Sequence, residues 1–148
     1  MKGLCVTVII FSILISACTP LSITDLTHHE QNWKNNNISH YRFDLSVACF
    51  CAFSQLMPLS IEVVNGKILS MNYNNGDLVT GNEQIMFEEY KTIDALFNFT
   101  RASIATADEI HVKYDLKYGY PSNINIDFIK GAMDDELGIT VQRFVPLP

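Results

Sequence analysis

The 148-residue sequence predicts an α+β fold, an antiparallel β-sheet with two helices packed on one face, on three observations. Residues near 25–35 and 92–105 repeat apolar side chains at helical spacing. The segments that follow each of them alternate apolar and polar residues with a period of two. Asn65-Gly66 then joins two such segments through a two-residue link that accepts the positive φ of a type I′ turn. The element order also describes a tandem α-β-β-β arrangement, although no residue block repeats.

The chain opens with Met1-Lys2 and an apolar run from Gly3 to Ala17. That is the layout of a secretory signal peptide, and it is shorter than the ~20 residues a spanning helix needs. The run closes on Ile15-Ser16-Ala17-Cys18, which has the form of the lipobox read by bacterial lipoprotein signal peptidase. The expected organisation is a signal peptide over 1–17, a lipidated Cys18 with a tether over 18–24, and one α+β domain over 25–148. Each buried methylene contributes about 0.8 kcal/mol, so several acyl chains on Cys18 would hold the chain stably to a membrane.

The part after the signal carries 9 Lys and Arg against 16 Asp and Glu, a formal charge of −7. That balance argues against nucleic acid as a partner and against a basic lipid-binding surface. The expected location is the exported side of the cell membrane or outer membrane, periplasmic in a Gram-negative cell. Thr19, where a retained lipoprotein would carry Asp, is compatible with outer-membrane sorting.

Within the domain, the spacing of Leu26 and Trp33 predicts a helix capped near Thr24 or Asp25 and ended by Asn35-Asn36-Asn37. From Tyr41 the alternation predicts a long strand, with Phe43, Leu45, Val47, Cys49, Cys51 and Phe53 on one side and Arg42, Asp44 and Ser46 on the other. Leu59 to Val64 and Lys67 to Tyr73 read as a hairpin in which Val63 faces Ile68. Residues 84–87 read as a short strand. Thr92 caps a second helix whose stripe is Ile93, Leu96, Phe97 and Ile104, with Asp94 favourable to the helix dipole. Ile110 to Leu116 and Ile124 to Phe128 form another hairpin around Tyr118-Gly119-Tyr120-Pro121, and Gly138 to Phe144 closes the sheet.

Blocks in this order resemble a family of bacterial proteins of unknown function, domain-of-unknown-function family 6174. They include Tyr41-Arg42-Phe43, Cys49-Phe50-Cys51, Val64-Asn65-Gly66-Lys67, Thr92-Ile93-Asp94-Ala95-Leu96-Phe97, Val112-Lys113-Tyr114-Asp115 and Tyr118-Gly119-Tyr120-Pro121. Trp33, Asp127 and Asp134-Asp135-Glu136 complete the match. Such proteins are often small lipoproteins or secreted domains. The resemblance implies export and supplies no activity, ligand or catalytic residue.

Two groups of side chains are candidates for chemistry. With Cys5 in the signal and Cys18 lipidated, Cys49 and Cys51 form a pair or nothing. In a regular strand, residues i and i+2 carry parallel Cβ vectors roughly 6.5 Å apart, so a disulfide requires a local bend. Three readings stand: a bent segment holding a structural disulfide, two buried thiols, or a redox or metal site. His28, His29, His40 and His111 lack metal-ligand spacing. The acidic residues Asp127, Asp134, Asp135 and Glu136 are candidates for a ligand cluster, but they lack a calcium-loop pattern.

No catalytic residue, metal or cofactor is assigned. The reading is a non-enzymatic binding or structural lipoprotein of the cell envelope, attached to the membrane through Cys18 and partnered by another envelope protein. The alternative is a thiol-based redox or metal-binding envelope protein using Cys49 and Cys51. A binding module predicts an exposed apolar patch on the sheet face away from the helices.

Overall fold

The computed structural model describes residues 22–148; the expected signal peptide, Cys18 and most of the expected tether lie outside them. Helix α1 spans Ile23–Asn35, and its cap, Ser22, precedes the expected cap at Thr24 or Asp25 by two or three residues. The Ser22 hydroxyl accepts the Asp25 backbone N–H at 3.1 Å and so serves as the cap. Strand β1 follows at His40–Ala48, then β2 at Leu59–Val64 and β3 at Lys67–Asn72. Asn65 and Gly66 both take positive φ, 50° and 73°, and Val63 pairs with Ile68 as the turn requires.

Residues 84–87 are helical rather than extended: α2 covers Gly81–Gln84 and a 3-10 turn covers Ile85–Phe87. The Glu83 carboxylate accepts the backbone N–H and the hydroxyl of Thr80, at 2.9 and 2.8 Å, which commits the chain to a helical start. Helix α3 spans Ile93–Thr106 behind the Thr92 cap, and β4 (Glu109–Tyr114), β5 (Pro121–Asp127) and β6 (Glu136–Pro146) complete the chain.

The six strands form one open antiparallel sheet in the order β3-β2-β1-β6-β5-β4. The class is α+β, with α1-β1-β2-β3 followed by α3-β4-β5-β6. One face is covered: Tyr41, Phe43, Leu45 and Val47 of β1 meet Ile93, Leu96 and Phe97 of α3 in a single buried cluster. Trp33 Nε1 donates to Asp94 at 3.2 Å, and Glu30 pairs with Arg101, so α1 and α3 are tied to each other over the sheet.

Two backbone devices shape that covered face. β1 and β6 shift register between Arg42 and Asp44, where Arg143 has φ 48°. The extra residue inverts the alternation of β6, so Phe144 joins Ile139 and Val141 on the helix side and packs 5.7 Å from the Trp33 ring. At the β4–β5 turn, Gly119 has φ 84°, and a Cβ there would lie 2.8 Å from the His29 carbonyl oxygen. Only glycine lets α1 approach this turn, and Tyr120 is buried beneath the helix as core.

The uncovered face is polar. Arg42 and Asp44 of β1 stand opposite Glu62 and Ser60 of β2 on one side, and Asp44 and Ser46 stand opposite Gln142 and Thr140 of β6 on the other. Asn123 donates to Thr140 at 3.1 Å and Asn125 to Asn123 at 2.6 Å across the same surface. Of the large exposed apolar side chains, Phe50, Ile85, Met86, Ile129 and Met133 lie in loops at one end of the sheet.

Candidate functional site

That end is where β1 stops, where β5 turns into β6, and where α3 passes into β4. β1 breaks off at Ala48, and the next residues bend: the Cys51 N–H donates to the Cys49 carbonyl at 2.8 Å, and Ser54 Oγ lies 3.0 and 2.7 Å from the carbonyls of Cys49 and Cys51. The bend draws the two Cα atoms to 5.2 Å, and Cys49 and Cys51 are joined by a disulfide. The bridge sits on the bent segment that a disulfide here requires, and it overturns the reading of two buried thiols. The predicted strand through Phe53 accordingly ends five residues early. Phe50, between the two cysteines, is turned outward and is 87% exposed, whereas Phe53 packs its ring 5.0 Å from Phe87.

The acidic candidates converge on the same end. Asp127 closes β5 and pairs in register with Glu136, the first residue of β6. Asp135 Oδ2 accepts the Ile129 N–H at 2.7 Å and Asp108 Oδ2 accepts the Lys130 N–H at 2.8 Å, so these two carboxylates hold the β5–β6 turn. Asp134 sits at φ 69°, exposed. Partial burial of its carboxyl, followed by the neighbouring charges of Asp135, Glu136, Glu109 and Asp108, holds Asp127 above the usual aspartate range. Glu109 shifts the opposite way, because His111 bonds to it at 2.8 Å and adds favourable charge.

Two adjoining depressions meet at Glu136 and Leu137. One, of about 430 Å³, lies on the uncovered sheet face above Gly138, where Ala48 and Gly138 leave room between Glu109, Asn125 and Asp127. The other, of about 330 Å³, is a cleft between the disulfide loop, the Ile85–Phe87 turn and the β5–β6 turn. Its deeper surface is apolar, built from Val47, Phe53, Tyr90, Phe128 and Leu137. Phe50 and Met86 stand on one lip, and Asp134, Asp135 and Glu136 on the other. Met86 is 49% exposed, and Ile85, Ile129 and Met133 in the same loops are more exposed still.

The disulfide and the acidic cluster, separate in sequence, therefore border one cleft. Of the histidines, His111 lines the first depression beside Glu109, whereas His29 stacks on Tyr114 at 3.8 Å and His40 bonds to Glu62 at 2.8 Å. Among the described residues, no group of three or more His, Cys, Asp or Glu side chains is placed to hold a metal ion. Likewise no helix among them is long and apolar enough to cross a membrane.

Phe50, Met86 and Tyr90 were not apparent as site residues from sequence. Phe50 did carry a signal, since it falls on the polar parity of an otherwise regular alternation. Asp44 was likewise hidden: it lies on the uncovered face yet is buried, paired with Arg143 from the bulge of β6.

A model of a family of unknown function (DUF6174) matches residues 25–146. No curated protein and no solved structure matches the chain.

Proposed function

The chain belongs to the family of unknown function DUF6174, and on that premise we propose that it is an exported, lipid-anchored binding module that docks another envelope protein at the cleft between its disulfide loop and its acidic turn. The observation that carries this reading is the pairing of an apolar cleft with large exposed side chains on its lip. Phe50 at 87% and Met86 at 49% exposure keep apolar surface in water next to a ready-made recess, which is the arrangement a docking surface needs. Elsewhere the uncovered face carries polar side chains such as Arg42, Glu62, Thr140 and Gln142.

Catalysis finds less support. The raised Asp127 and the lowered Glu109 are what an acid–base pair would need, but partial burial followed by like-charge crowding accounts for the first and the His111 hydrogen bond for the second. The thiol-based redox or metal reading is also weaker, since reactive thiolates draw on neighbouring cations and the Cys49–Cys51 bridge faces Asp134, Asp135 and Glu136.

The test places a photo-crosslinking residue at position 50, and in a second chain at Leu116, which is fully exposed at the opposite end of the sheet. Both chains are expressed full length in the cell envelope. A discrete adduct from position 50 that is missing from position 116 supports the reading, and equal labelling or none at position 50 sinks it. Mass spectrometry of the chain recovered from membranes should find acyl chains on Cys18; an unmodified Cys18 would refute the anchor.

A further inference from the structure

The cleft also specifies what kind of segment it can accept. Apolar side chains line its depth and one lip, so an entering group must be apolar and large enough to displace water from about 330 Å³. The other lip is formed by three consecutive carboxylates, and Asp108, Glu109 and Asp127 lie behind them at the same end of the sheet. The basic residues beside Glu109 are Lys130 and His111, and the His111 ring is hydrogen-bonded to Glu109 at 2.8 Å. Acidic side chains thus outnumber basic ones around the opening, and the mature chain as a whole carries −7. A partner bearing negative charge would be repelled at the lip, and so would an anionic lipid surface.

Two of the lip carboxylates are free to meet a partner. Asp135 is committed to the Ile129 N–H, while Asp134 and Glu136 are exposed. The opposite lip is the disulfide loop, on which Phe50 is 87% exposed. The site therefore presents an aromatic lip, an apolar recess and a carboxylate lip in that order.

We infer that the cleft takes a cationic amphipathic segment of a partner protein, one large apolar side chain entering beside Phe50 and Met86 while an adjacent lysine or arginine meets Asp134 and Glu136. This rests on the binding-module reading and goes further by naming the chemistry of the segment. It is recognition by area and charge together: the apolar side chain supplies burial, and the cation selects orientation and excludes acidic competitors.

The test uses the full chain in zwitterionic lipid nanodiscs, with empty nanodiscs subtracted. Three dye-labelled peptides of equal length are compared by fluorescence anisotropy, one built on Lys-Phe-Lys, one on Glu-Phe-Glu and one on Lys-Gly-Lys. The first should bind at least tenfold more tightly than either of the others. Glu136→Lys and Phe50→Ser should each weaken it fivefold or more. Glu62→Lys, the same change of charge at the far end of β2, should leave it within twofold, with thermal melts confirming that all variants fold. Equal binding of the acidic peptide, equal binding of the glycine peptide, or an equal loss from Glu62→Lys would each overturn the inference. If no peptide binds while position 50 still crosslinks in cells, the cationic chemistry is wrong and the docking reading survives.

Discussion

The hydroxyl of Tyr41 accepts the backbone N–H of Ile93 at 3.2 Å in the interior of the protein. That N–H opens α3 and has no partner within its own helix, so a strand side chain completes the helix start from across the core. Burial pushes the Tyr41 phenol well above its ordinary range, which keeps the hydroxyl neutral. Tyr41→Phe preserves the ring but strands the N–H, and should lower stability by about 1–2 kcal/mol. In urea the midpoint should fall with an unchanged slope. No shift in midpoint would mean that the helix start is satisfied without Tyr41.

The Cys49–Cys51 bridge closes a loop of very few residues, so it removes little entropy from the unfolded chain. The loop-closure relation gives roughly 1.5 kcal/mol for a ring this small. Replacing both cysteines with serine should therefore leave a folded domain whose stability falls by no more than about that amount, measured by calorimetry. The outward pose of Phe50 should suffer more than stability does, and proteolysis between residues 48 and 54 should quicken. Loss of the folded state altogether would show that the bridge organises packing well beyond its own loop.

Much of the fold was legible because its signals are local. The Asn65-Gly66 turn fixes the β2–β3 register by itself, and Thr92 with Asp94 announces α3 within one turn. Residues 84–87 were misread because four residues carry no period, and the deciding contact is the Glu83 carboxylate on Thr80. The site was half legible. Its acids and cysteines stood out by type, but the cleft exists only once three distant loops meet at one end of the sheet. The burial of Asp44 depends on a bulge in β6, a hundred residues away in sequence, and nothing near Asp44 encodes it.

His40 offers a pH test at the opposite end of the sheet from the cleft. Its imidazole bonds to Glu62 at 2.8 Å and to the Pro148 carbonyl at 2.8 Å, and these contacts raise its pKa above 6.5. A histidine whose folded pKa is raised stabilises the fold fully below its unfolded pKa and loses that contribution as pH rises through the folded value. Imidazole NMR should place the His40 transition above 6.5, and Glu62→Gln should move it down. A His40 transition at or below 6.5 would break the assignment of this pair.

Asp127 should show linkage of the same sign in a more acidic window. Partial burial raises its pKa above 3.8, and the charges of Asp135, Glu136, Glu109 and Asp108 add to the shift. Between 3.8 and the raised folded value the folded state holds more of the proton than the unfolded chain does. Stability contributed by this group is therefore lost as pH rises through that window. Carboxyl-carbon NMR of the wild type should report the raised value directly. Glu136→Gln removes one neighbouring charge and leaves burial in place, so it should lower the Asp127 pKa part of the way and flatten the matching segment of the stability profile. An unmoved Asp127 would mean that Glu136 directs its charge away from β5, and the carboxylate lip of the cleft would then be weaker than its sequence of acids suggests.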